Sequence, residues 1–274
     1  MTSPLISSDD LRASLGTVTL LDARPAAAYA AGHLPGALHV DPDRDLSTAL
    51  QPGHDPARGG RHPLPAAETF ARWLGTQGIT PATEIVVYDA TAGAHAATRV
   101  WWMLRSLGHT RVRVLDGGLA AVPGLATDTT SPAVTAAPPY PHHGWTRPMV
   151  DADAVDARRT ADDWKVIDVR SGERFRGETE PFDPIAGHIP GAHNVPYGEN
   201  LGADGRFKSA AELRALYDRV LGTVPPSQVI VHCGSGVTAC HTLLALELAG
   251  LPGSSLYVGS WSEWCRSDRT RAKG

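Results

Sequence analysis

The chain has 274 residues, room for one large domain or two ordinary ones, and 42% of them are hydrophobic, as in a globular protein with a full core. Its 25 basic and 29 acidic residues give a net charge of −4, so no basic excess points to nucleic acid or an anionic membrane as partner. The first residues carry Asp9, Asp10 and Arg12 in place of a signal-like apolar core, and no run nears the roughly eighteen apolar residues of a membrane span, so a cytoplasmic protein is expected.

In chain order, apolar runs at residues 18–21, 85–88 and 112–115 read as buried strands, and 66–75 and 94–107 as helices. Residues 122–148 follow, rich in Pro, Thr, Ala and Ser, with Pro138-Pro139 and Pro141, the composition of an extended connector. Beyond it the pattern returns, with strands at 165–169, 229–232 and 255–258 and helices at 209–221 and 238–249. Such alternation predicts an α/β fold, a parallel sheet flanked by helices in each half. The expected division is an N-terminal domain of residues 1–125, a linker of 126–148 and a C-terminal domain of 149–274.

The halves repeat three phrases in the same order. Leu20-Leu21-Asp22-Ala23-Arg24 with Ala31-Gly32-His33-Leu34-Pro35-Gly36-Ala37 answers Val166-Ile167-Asp168-Val169-Arg170 with Ala186-Gly187-His188-Ile189-Pro190-Gly191-Ala192. Ile85 to Asp89 answers Val229 to Cys233, and Val114 to Gly118 answers Leu256 to Ser260. Three matches in register identify an internal duplication. Asp22, Asp168, His33 and His188 occur in both halves, which points to structural roles, the imidazole pinning a turn.

Cys233 stands out. A β-branched strand delivers it to the small-residue loop Gly234-Ser235-Gly236-Val237-Thr238, and a helix follows. Loop amides and the positive end of a helix favour thiolate over thiol. Cys240, inside the predicted helix, reads as core packing and Cys265 as incidental; three cysteines without paired spacing fit free thiols in a reducing compartment. No Cys-x-x-Cys or His-x-x-x-His spacing supports a metal site.

The repeated Asp and Gly-His-(Ile/Leu)-Pro-Gly-Ala phrases, the strand entering a cysteine loop and the tandem arrangement together resemble the two-domain rhodanese-type sulfurtransferases, over nearly the whole chain. The resemblance implies tandem rhodanese-like domains of which only the second carries the nucleophile. Asp89 stands where the other half has Cys233, and an aspartate cannot carry a transferable sulfur. It implies a persulfide on Cys233, cradled by the amides from Gly234 to Ala239, among them Gly236, Val237 and Thr238, with no metal or organic cofactor. The implied partners are a small sulfur donor and a thiol acceptor, thioredoxin type included, or cyanide. A monomer suffices for this, and the long loop at 42–61 is a candidate lid.

The loop Cys-Gly-Ser-Gly-Val-Thr resembles the 3-mercaptopyruvate branch of the family. Thiosulfate-using members place cations after the cysteine; Gly234 and Ser235 carry no charge, which makes thiosulfate the alternative donor. In the mercaptopyruvate branch the serine works with a histidine and an aspartate of the first domain, and the matching residues are Ser235, His62 and Asp41. Arg174, in the inserted Glu173-Arg174-Phe175-Arg176-Gly177, matches the arginine that binds the donor carboxylate. The family's second arginine has no counterpart between Glu178 and Pro184. Arg176, or Arg58 or Arg61 of the long first-domain loop, are the candidates to replace it. Trp261 is expected at the mouth of the cleft.

Two other classes compete. A cysteine phosphatase needs an arginine six positions after its cysteine, and that position holds Ala239. A non-catalytic sulfur carrier or partner-binding module would not need the loop to be intact.

Overall fold

The computed structural model describes residues 3–274, which form two compact units. One consists of the chain up to Thr48, Pro65–Thr146 and Ala203–Arg206; the other of Ala49–Leu64, Arg147–Gly202 and Phe207–Gly274.

The first unit holds β1 (Leu5–Ile6), α1 (Ser8–Ser14), β2 (Thr19–Asp22), α2 (Ala26–Ala31), β3 (Leu38–His39), α3 (Ala67–Thr76), β4 (Ile85–Tyr88), α4 (Ala97–Ser106) and β5 (Val112–Leu115). The second repeats the plan with β6 (Met149–Val150), α5 (Ala152–Arg158), β7 (Lys165–Asp168), α6 (Gly172–Arg176), β8 (His193–Asn194), α7 (Ala210–Leu221), β9 (Val229–His232), α8 (Ala239–Leu248), β10 (Ser255–Tyr257) and α9 (Ser260–Trp264). Each sheet is five-stranded and parallel, in the orders β1-β5-β4-β2-β3 and β6-β10-β9-β7-β8. The central strands β4 and β9 are buried along their whole length, as unbroken β-branched runs with helices on both faces require.

The six strands legible in the sequence stand within a residue of their expected places. The two-residue strands and the short helices were not legible, because two residues show no periodicity. Helix α4 begins at Ala97, three residues later than expected, since residues 89–96 wrap around Asp89 first. The proline-rich stretch before residue 147 has almost no regular structure, yet it is tied to the first unit: Ala137 N donates to Gly75 O (2.8 Å) and Tyr140 N to Ala71 O (2.9 Å). Residues 49–64 pack with the second unit, where they form a wall of the site described below.

The duplicated phrases have one physical cause. Arg24 donates to both carboxylate oxygens of Asp22 and reaches Gly32 O (2.6 Å); Arg170 does the same with Asp168 and Gly187 O (2.7 Å). His33 Nδ1 donates to Tyr29 O (2.9 Å) and its ring stacks on Tyr29; His188 Nδ1 donates to Phe175 O (2.8 Å) and stacks on Phe175. The aspartate thus clamps the chain entering the Gly-His turn, and the imidazole closes the turn on the preceding helix. A buried pair of this kind loses about 3–5 kcal/mol when one partner is removed, which ties the two phrases to each other. Around them lie apolar cores, Leu11, Leu20, Val86 and Leu115 in one unit and Val155, Val166, Ile230, Trp261 and Trp264 in the other. No helix among the described residues is long and apolar enough to cross a membrane.

Candidate active site

The parallel register aligns Asp168 with His232, so Cys233 emerges at the carboxyl end of β9, where ligands collect in sheets of this kind. Cys233 is 3% exposed. Its amide donates to Ser260 Oγ (3.2 Å) and its carbonyl accepts from Trp261 N (3.1 Å), while Gly234 O accepts from Ser262 N (2.9 Å). Ser260 sits at φ 54°, a conformation rare for a residue with a side chain, and its hydroxyl donates to Tyr257 O (2.9 Å). The aligned residue of the first unit is Gly118, at φ 63°. A serine paired with a glycine in the repeat is the sequence signal for this support.

Gly236 has φ 76°, and a Cβ there would lie 2.4 Å from Val258 O, so no other residue fits the curl of the loop. The amides of Gly234, Ser235, Val237, Thr238 and Ala239 find no acceptor among the described residues. The first unit supplies the comparison. There Asp89 Oδ1 accepts from the amides of Thr91 and Gly93, and Oδ2 from those of His95, Ala96 and Ala97, at 2.9–3.2 Å. The two units differ at this loop position. In one a built-in carboxylate fills it; in the other the side chain is a thiol and the amides are open.

Ser235, itself buried, is joined to the cysteine loop's surroundings by His62 Nδ1, 2.8 Å from its Oγ. The segment before His62 lies against α9: Gly59 N donates to Glu263 Oε1 (2.8 Å) and Arg61 N to Ser262 Oγ (2.9 Å). A Cβ on Gly60 would lie 2.3 Å from Gly259 O, so the segment is held at backbone distance. Asp41 lies in the first unit, where its Oδ1 accepts from the amides of Asp43 (2.9 Å) and Arg44 (3.1 Å) and caps its own turn.

Arg174, on α6, reaches the loop. Its Nη2 and that of Arg61 would each lie 3.1 Å from a Cβ on Gly234. Arg174 pairs with Glu180 (2.7 Å), which also takes Arg170 (3.2 Å); Arg61 pairs with Asp183 (3.1 Å), which also takes Arg266 (2.8 Å). Both guanidinium carbons lie over the Phe182 ring, at 5.2 Å for Arg61 and 5.1 Å for Arg174. Guanidiniums no more than about 6 Å apart repel by roughly 3 kcal/mol at an effective dielectric near 20, so the carboxylates are needed to hold them together. Arg61, Arg170, Arg174 and Arg266 face Asp168, Glu180 and Asp183, four cations against three anions. The fourth cation offsets the charge of a Cys233 thiolate.

Burial lowers the His232 pKa, so this neighbour of Cys233 stays neutral and adds no further cation. For Asp168 burial pushes upward, but the bidentate Arg170 outweighs it and holds the carboxyl below its ordinary range. Cys265 is raised by burial and then by Asp183, and Cys240 is buried with its thiol 3.6 Å from Gly236 O; both are packing residues. Arg176 is turned to the surface, paired with Glu178 (2.6 Å), and is removed from the candidates for the donor site. Trp261 is fully buried, its Nε1 donating to Ile185 O (2.9 Å), and does not stand at any mouth. Glu180, Phe182 and Asp183 lie in a stretch without an arginine of its own, and they hold arginines that come from elsewhere.

The rhodanese-like domain family matches this chain twice, over residues 7–122 and 151–267. A Pseudomonas aeruginosa protein named "Probable 3-mercaptopyruvate sulfurtransferase" is 41% identical over 246 residues, 89% of this chain and 85% of that one. The thiosulfate sulfurtransferase of Cricetulus griseus is 35% identical over 243 residues, 86% of this chain and 78% of that one. The crystal structure of SseA from Escherichia coli, described as having the rhodanese fold of 3-mercaptopyruvate sulfotransferases, superposes with a TM-score of 0.78 at 31% identity, covering 95% of this chain and 99% of that one. With two domain matches that between them take in most of the sequence, the chain belongs to the rhodanese-like family.

Proposed function

We propose that the chain moves sulfane sulfur from 3-mercaptopyruvate to a thiol or to cyanide through a persulfide on Cys233. The observation that carries this is the cradle of open amides around Cys233, in the place where the first unit binds its own carboxylate. The Cys233 thiolate attacks the sulfur of the donor. A bond forms between the two sulfurs, the carbon–sulfur bond breaks, and its electron pair leaves on carbon as the enolate of pyruvate. The donor's thiol proton passes to that carbon, so pyruvate departs and Cys233 keeps an anionic persulfide. Ser235 and His62, 2.8 Å apart, are suited to carry the proton, with Asp41 as the third member expected from the family. The loop amides, including those of Gly234, Val237 and Thr238, stabilise the negative charge on the outer sulfur, and Gly236 gives the loop its curl. A thiolate, of a small thiol or a thioredoxin-type protein, or cyanide then takes the outer sulfur and returns the Cys233 thiolate. Three free cysteines fit a reducing, cytoplasmic setting, and nothing in this scheme needs more than a monomer.

Thiosulfate is the second donor to consider, because Arg61 and Arg174 bring to Gly234 the positive charge that the loop itself lacks. Incubation with 3-mercaptopyruvate should add the mass of one sulfur atom to the Cys233 peptide, and cyanide should remove it as thiocyanate. Cys233→Ser should show neither. The ratio of kcat/KM for the two donors on one preparation decides between them, and a large thiosulfate preference overturns the assignment. Partner capture with no sulfur release from either donor would favour a binding module instead.

A further inference from the structure

We infer that Arg61, 113 positions before Arg174 in the chain, is the second arginine that grips the donor's carboxylate. The inference rests on the assignment of an α-keto carboxylate as donor. Arg174 alone carries over from the family pattern, and the stretch Glu178 to Pro184 offers no second cation. In space the vacancy is filled. Arg61 Nη2 and Arg174 Nη2 approach one point beside Gly234 equally closely, 3.1 Å each, one residue from the nucleophile.

The two side chains are committed to their holders by only part of their donors. Arg61 gives Nε to Asp183 and neither Nη nitrogen to any acceptor among the described residues. Arg174 gives Nε and Nη2 to Glu180 and keeps Nη1. Asp183 is set between them: Oδ1 takes Arg61, while Oδ2, buried and without a hydrogen bond, faces Arg174 Nη2 at 4.0 Å. The Phe182 ring lies within cation–π reach of both guanidiniums. The result is a two-armed clamp whose unused N–H groups converge where a carboxylate would sit if its thiol were aimed at Cys233. Arg61 adjoins His62, so the one segment held against α9 delivers both the clamp and the proton-handling imidazole. Arg176, paired with Glu178 at the surface, is thereby excluded from the role.

The test is steady-state kinetics with 3-mercaptopyruvate, together with inhibition by pyruvate, which keeps the carboxylate and lacks the thiol. R61A should raise KM and the pyruvate inhibition constant by about 10- to 100-fold, with kcat changed far less, as expected for loss of a charge-assisted hydrogen bond. R61K should recover part of this, since it restores charge without the fork. R176A, at the surface, should leave every constant unchanged. If R61A does not fold, R61K decides: a KM within twofold of wild type overturns the inference. An R61A protein that folds and keeps both constants overturns it as well. Wild-type protein that never turns over 3-mercaptopyruvate would instead sink the donor assignment, a separate outcome.

Discussion

Gly234 and Gly236 are two residues apart in one loop, and the same alanine substitution should do different things to each. At Gly236 the φ of 76° costs an alanine about 1 kcal/mol, and its Cβ would lie 2.4 Å from Val258 O and 3.0 Å from Val258 Cα. Those are backbone atoms of the chain leaving β10, which cannot swing aside, and overpacking of this order adds about 1–3 kcal/mol. G236A should therefore lose roughly 2–4 kcal/mol and open the loop, scattering the amides that follow Cys233. At Gly234 φ is not positive, and the Cβ would meet only the flexible ends of Arg61 and Arg174, at 3.1 Å. G234A should fold normally but push the guanidiniums off the donor. The expected pattern is a lowered Tm and lowered kcat for G236A, against an unchanged Tm and a KM raised about tenfold for G234A. Thermal denaturation beside donor kinetics reads both. A G236A protein with wild-type Tm and kcat would refute the claim that the curl of this loop builds the cradle.

H62A and S235A should each lower kcat by about 10²-fold or more, and the double variant should be little worse than either, because the two groups act through one hydrogen bond. Additive losses would separate their roles. D89A, which leaves five amides of the first unit without their acceptor, should destabilise the protein by about 1–3 kcal/mol for each amide that stays buried, while a folded sample still forms the Cys233 persulfide. Loss of persulfide formation in folded D89A would show that the first unit is more than a scaffold. His232 has a lowered pKa in the fold, so the stability it contributes is complete above the ordinary histidine value of 6.5 and is lost as the pH falls through that value toward the folded one. H232F should flatten the fall in Tm between about pH 7 and pH 5, and an unchanged slope would reject a buried neutral imidazole.

The sequence alone determined a good deal. Short runs dominated by apolar residues gave the six longer strands, because strands buried on both faces carry few polar interruptions, with Arg113 of β5 the exception. The duplication was legible because the Asp-x-Arg clamp and the Gly-His turn bond to each other, and neither phrase can drift without the other. Cys233 was legible as the one side chain that breaks the repeat at a strand end. Tertiary structure alone decided the rest. That Asp89 is an anion already seated in the cradle follows from five amides wrapping back on it, which no local pattern announces. Trp261 could be sent to the core, away from the surface, only by knowing what Ile185 and Arg170 offer it. The clamp on the donor is the sharpest case. A single-chain motif search looks for its second arginine within the inserted segment, whereas electrostatics asks only that a guanidinium stand beside Asp183 and Phe182. Charge acts through space, so a residue more than a hundred positions upstream can take a place that the local sequence left empty.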